Sequence, residues 1–298
     1  MNTGRPPPFS GHGADSGRLS LQVHGKPEAT ALIYLPGLHG DWTLLGEFRN
    51  AVHQRVRLVE FEYPRTSIWT LADHARAVQA ALNSAGIVEG YLLAESFGSL
   101  VAWALLELPN TPTNFRIRGI ILAGGFVRYP IPRLARLARV LGLRLPDGLL
   151  RRLLSGYARV AGLLHRRSPE ARAGIQEFVR RRLEPGDRDA VMHRLQLLAA
   201  ADPRPVAATC TIPVWSLTGF GDPVVPWPLV SPWLRRRVPG WVGHRIIWAS
   251  DHTVLATRPA AAARIVLEWI RTDDPQSDPD PDHGVATAPG ENGPHCAS

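Results

Sequence analysis

Short apolar runs and longer helical stretches alternate along most of the chain. Strand-like runs fall at 19–23, 31–35, 56–61, 91–94, 119–123, 213–218 and 245–249. Between them, apolar residues recur at three- and four-residue spacing near 44–53, 71–85, 97–108 and 259–270, the pattern of helices burying one face. Strands that alternate with helices imply right-handed crossovers, hence a mostly parallel sheet covered on both sides. From 126 to 208 the alternation stops. There Leu134, Leu137 and Leu141, then Leu150, Leu153, Leu154, Tyr157 and Val160, then Ile175, Phe178 and Val179 keep helical spacing with no strand between them. The expected organisation is an α/β core over 18–125 and 209–271, with a helical cap inserted over 126–208 above the carboxyl ends of the strands. The ends, 1–17 and 272–298, are rich in Pro, Gly, Asp and Ser and are expected to be disordered.

Composition narrows the class. With 298 residues, 45% of them hydrophobic, the chain can bury a full core. It has no run of about twenty apolar residues and no signal-like apolar N-terminus, so a cytoplasmic address is expected. Cys210 is expected to open a core strand and Cys296 lies in the polar tail, an arrangement that disfavours a disulfide. The net charge of +8 raises the possibility of nucleic-acid binding, but Lys26 is the only lysine and no docking motif accompanies the arginines. No nucleic-acid partner is expected. The charge is uneven: residues 128–204 hold seventeen arginines against seven acids, and 272–298 hold six acids and no base. Arg133, Arg136 and Arg139, opposite Leu134, Leu137 and Leu141, would suit peripheral contact with an anionic membrane or an acidic substrate, or simply face solvent.

The chemistry concentrates in Tyr91-Leu92-Leu93-Ala94-Glu95-Ser96-Phe97-Gly98-Ser99, where an apolar strand turns directly into a helix at a serine. So tight a turn strains the central residue and admits only small side chains two positions before and after, which Ala94 and Gly98 supply. A serine hydroxyl becomes a useful nucleophile only when an imidazole takes its proton and a carboxylate orients that imidazole. Asp222, in the loop Gly221-Asp222-Pro223-Val224-Val225-Pro226, and His252, in Asp251-His252-Thr253, each follow an apolar strand. Each also has a plain structural alternative: Ser96 as a helix cap, Asp222 as a turn former, His252 as a loop residue bonded to a carbonyl.

Ala94-Glu95-Ser96-Phe97-Gly98, the acid loop at Asp222 and the pair Asp251-His252, in that order, resemble the motifs of the α/β-hydrolase superfamily. The resemblance implies an α/β-hydrolase fold with a catalytic set of Ser96, Asp222 and His252. It places Tyr34-Leu35-Pro36-Gly37-Leu38-His39-Gly40 at the oxyanion loop, with the backbone N–H groups of Leu38 and Phe97 as the donors. The activity expected is cleavage of a small-molecule carboxylic ester or thioester through an acyl-enzyme. The alternative is a non-catalytic scaffold of the same fold that binds a ligand or partner. Neither a metal site nor a cofactor is expected, since the histidines are scattered and Gly124-Gly125 lacks the rest of a dinucleotide fingerprint. The sequence leaves the oligomeric state open.

Overall fold

A computed structural model describes residues 18–109, 111, 114–164 and 168–274. Most of the two terminal segments, with Cys296, His283 and His295, lies outside the described residues. Seven strands form one sheet: β1 (Ser20–His24), β2 (Ala31–Leu35), β3 (Arg57–Glu62), β4 (Glu89–Glu95), β5 (Arg116–Ala123), β6 (Val214–Gly219) and β7 (Trp241–Ile247). Their order is β1-β3-β2-β4-β5-β6-β7, and every pairing is parallel except the antiparallel contact of β1 with β3. β4, which leads to Ser96, is central.

The strands are apolar on both faces because both are covered, and the two-residue period of a strand divides its side chains between them. Ile33, Leu35, Leu92 and Ala94 face one apolar cluster, which Val78 and Leu82 of α2 (Leu71–Ser84), Val101 and Leu105 of α3 (Gly98–Leu106) and Leu234 complete. Leu32, Tyr34, Tyr91 and Leu93 face the other, filled by Phe48 and Val52 of α1 (Gly46–Val52) and by the C-terminal helix. α2 starts where Thr70 and Asp73 cap each other's backbone N–H groups, a reciprocal pairing that fixes its first turn.

After β5 come α4 (Pro132–Arg144), α5 (Asp147–Leu164), α6 (Pro169–Arg182), α7 (Asp187–Ala200) and a single turn, α8 (Arg204–Ala207). The core then resumes with β6, α9 (Trp227–Arg237), β7, the short α10 (Val254–Thr257) and α11 (Pro259–Asp273). Leu137, Leu141 and Leu153 stand exposed on α4 and α5 beside arginines. No helix among the described residues is long and apolar enough to cross a membrane.

Several local expectations need correcting. The last strand spans 241–247 rather than 245–249, because Ala249 takes a left-handed backbone (φ 55°) that ends extended pairing and turns the chain toward His252. Cys210 does not open a strand: it is a buried, free thiol after α8, and β6 begins at Val214. α9 carries no clear helical pattern in the sequence because Pro228 and Pro232 interrupt it; Pro228 lies in the first turn, where a missing N–H is harmless. α7 also lacked a signal, since its inward face carries the buried charges Asp187 and Arg194 among its apolar residues. The C-terminal helix extends through Thr272 and Asp273, where the Asp273 carboxylate accepts a 2.5 Å hydrogen bond from the Tyr91 hydroxyl.

Candidate active site

Ser96 sits between the end of β4 and the start of α3 with φ of 49°, a conformation costly for a side-chain-bearing residue. The surrounding contacts compel it. Ser96 N–H donates to the Ala123 carbonyl (3.1 Å), and the Ser96 carbonyl accepts from the Ser99 hydroxyl (2.5 Å). Gly98 must be glycine, since a Cβ there would fall 2.1 Å from the Leu35 carbonyl oxygen. The turn therefore presses α3 against β2 and leaves the serine side chain at the mouth of the sheet.

Asp222 follows β6 and His252 follows β7, both at the same end of the sheet as Ser96. His252 Nε2 lies 2.8 Å from Ser96 Oγ, and His252 Nδ1 lies 2.8 Å from Asp222 Oδ2. Both bonds are satisfied when the serine hydroxyl donates to Nε2 and the Nδ1–H donates to the carboxylate. The second Asp222 oxygen accepts the backbone N–H groups of Val224 and Val225, each at 2.8 Å, so the carboxyl group is held from both sides. Asp251, adjacent in sequence, is used elsewhere: its side chain accepts from the N–H and hydroxyl of Thr253.

Ser96 and His252 open on a cavity of about 530 Å³, with Asp222 buried behind the imidazole. Its floor is Ser96, His252 and the 37–41 loop. Its walls include Tyr129, Leu134, Phe178, Leu198 and Val224, so α4, α6 and α7 supply part of its apolar lining. Leu38 lines the cavity and Phe97 is fully buried. Among the described residues neither backbone N–H of this pair has a protein acceptor.

Other charged and polar groups stand near the serine. Glu95 also lines the cavity; burial raises its pKa, while a hydrogen bond from the Tyr34 hydroxyl opposes the shift. His39 packs edge-on against Phe178 (4.9 Å between ring centres). Burial, then the nearby Arg182 cation, lower its pKa to about 3, so it is neutral at physiological pH. Asp41 forms an ion pair with Arg182; burial would raise its pKa, but Arg182 and Thr43 hold it below the usual carboxylate range. No sequence signal marked Arg182 or Arg194 among seventeen arginines in this stretch. Among the described residues, no group of three His, Cys, Asp or Glu side chains converges as metal ligands would.

No protein-family model and no curated protein matches the sequence. Solved structures do match in shape. A thermophilic esterase from Thermogutta terrifontis aligns over 86% of this chain and 93% of its own, with TM-score 0.67 and 17% identity. An esterase from a Rhodococcus species aligns over 85% and 94%, with TM-score 0.67 and 20% identity. A bromoperoxidase from Bacillus anthracis aligns over 85% and 95%, with TM-score 0.67 and 13% identity. With the seven-stranded sheet and its flanking helices, these similarities identify the fold: the chain has the α/β-hydrolase fold.

Proposed function

We propose that the protein is a serine hydrolase that cleaves a carboxylic ester or thioester of a small molecule through an acyl-enzyme. The observation that carries this reading is the unbroken hydrogen-bonded chain from Ser96 Oγ through His252 to Asp222, opening on a largely apolar cavity. Shape similarity alone does not choose a reaction, since esterases and a bromoperoxidase share the frame.

In this mechanism Ser96 Oγ attacks the acyl carbonyl carbon as its proton passes to His252 Nε2. Asp222, at Nδ1, keeps the imidazole oriented and stabilises the cation that forms. The carbonyl oxygen becomes an oxyanion held by the N–H groups of Leu38 and Phe97, two donors left unused by the protein. Collapse of the tetrahedral intermediate breaks the bond to the alcohol or thiol, which leaves with the proton from Nε2. Water then gives up a proton to His252 and attacks the acyl carbon. Breakdown of the second intermediate frees the acid, and the proton returns to Ser96.

The 126–208 insertion acts as the cap, its α4, α6 and α7 side chains shaping the acyl subsite. The exposed leucines and arginines of α4 and α5 support peripheral contact with anionic lipid; sedimentation with phosphatidylglycerol vesicles, lost on Leu153→Glu, tests it. The reduced, buried Cys210 is compatible with a cytoplasmic address. Turnover of p-nitrophenyl esters and acyl thioesters tests the main reading: hydrolysis that falls at least about 10³-fold in Ser96→Ala supports it, and unchanged turnover excludes it.

A further inference from the structure

Arg194 is a long cation with almost no contact with water: on α7, it is only 2% exposed. Its guanidinium donates through Nη1 to the carbonyls of Leu38 (3.0 Å) and His39 (3.2 Å) and through Nη2 to that of Pro64 (3.0 Å). Arg182, at the end of α6 and 6% exposed, donates through Nη1 to the His39 carbonyl (3.2 Å) and pairs with Asp41 and Asp187. Two residues of the insertion thus reach across to one turn of the core.

Burying an arginine is expensive unless the fold recovers the loss through well-placed bonds. Burial lowers the Arg194 pKa only to about 10, so it stays charged at neutral pH. The chain also makes room for it: Gly40 has φ of 77°, and a Cβ there would lie 2.7 Å from the Arg194 guanidinium carbon. Hydrogen bonds with Leu38, His39 and Pro64 help offset this cost.

We propose that Arg194, assisted by Arg182, is a positioning residue that sets the 37–40 turn so that the Leu38 N–H points at the oxyanion. This rests on the serine-hydrolase reading above. The accounting of polar groups supports it. The Gly37 carbonyl accepts from Gly40 N–H (2.9 Å), and the Leu38 and His39 carbonyls accept from the two arginines. Three consecutive carbonyls are therefore committed to the protein side, which leaves the Leu38 N–H as an unspent donor beside the cavity. Planar peptides transmit the restraint: fixing the peptide planes on both sides of Leu38 fixes its N–H direction. A donor for developing charge is worth most when it is already in place, and a shift of about 1 Å costs on the order of 10² in rate.

The test separates donor geometry from substrate binding and from folding. Arg194→Lys, Arg194→Met and Arg182→Lys are compared with the parent for kcat and KM on a p-nitrophenyl ester. The same variants are titrated with a boronic acid, which forms a tetrahedral adduct on the serine. Thermal melts report folding. Arg182→Lys keeps a cation against Asp41 and Asp187 while losing the fork that reaches His39, so the experiment holds if the Arg194 variants fail to fold. The expected result is kcat about 10- to 100-fold lower in Arg194→Met, with KM changed by less than about threefold. Boronate affinity should fall in step with kcat/KM, Arg194→Lys should recover part of the loss, and Arg182→Lys should show a smaller loss of the same kind. Parental kcat and boronate affinity in the folded variants would overturn the proposal while leaving the hydrolase reading intact. A Ser96→Ala variant as active as the parent would remove that reading itself.

Discussion

Asp222 shows how much a single side chain can be asked to do. One of its oxygens is anchored by two backbone N–H groups and the other faces His252, so Asp222→Asn should keep the shape yet offer an amide where Nδ1–H needs an acceptor. The expected loss is about 10³- to 10⁴-fold in kcat with a melting temperature close to that of the parent, measured by ester turnover and thermal unfolding. Two other histidines predict a pH effect on stability. Burial lowers the pKa of His39 to about 3 and that of His74 to about 4, whereas both would titrate near 6.5 in an unfolded chain. The native state thus resists protons that the unfolded state accepts. Their stabilising contribution is complete above pH 6.5 and is lost progressively as pH falls toward the folded values. Between pH 7 and 4.5 the loss from His74 alone should reach roughly 2 kcal/mol. Denaturant titrations across that range should show a flatter pH profile in His74→Gln; identical profiles would contradict the assignment.

Helices and strands decide where those residues stand. The Thr70–Asp73 pairing makes the start of α2 a defined stop, and Thr70→Ala should lower stability by about 1 kcal/mol in urea unfolding without affecting turnover. Gly98→Val should be far worse, because the added Cβ meets the Leu35 carbonyl and would force α3 away from β2; the expected readout is loss of the folded protein. At this scale the sequence was highly legible. The inner strands β2 to β6 carry apolar runs, and Ala94, Ser96 and Gly98 mark the turn by the small size that close packing requires. Less legible was what rests on long-range contact. α7 hides its helical stripe because Asp187 and Arg194 lie on the buried side, and β7 begins among the mixed residues Trp241, Val242, Gly243 and His244 of an edge strand. The three candidate site residues could be named from their places after strands. The arginines that bond the 37–40 turn could not, because pairing with a backbone carbonyl leaves no mark in the sequence.

For the whole molecule, the loops after β4, β6 and β7 bring Ser96, Asp222 and His252 together, and α4, α6 and α7 line the cavity beside them. On the proposed hydrolase reading, acyl selectivity should therefore change through these helices without disturbing Ser96, Asp222 or His252. Leu134 lines the cavity yet is partly exposed, so Leu134→Trp should narrow the site at little cost in stability. Across p-nitrophenyl acetate to decanoate, kcat/KM should shift toward shorter chains, while an unchanged profile would show that α4 does not bound the acyl subsite. Whether Ser96 is a nucleophile activated by His252 is tested most directly by intact-mass and peptide mapping after brief exposure to a fluorophosphonate. The expected result is one adduct per chain, located on Ser96, absent in Ser96→Ala and formed at least about 10³-fold more slowly in His252→Ala. Labelling of Ser96→Ala at the parental rate, or a parent that never reacts, would contradict it.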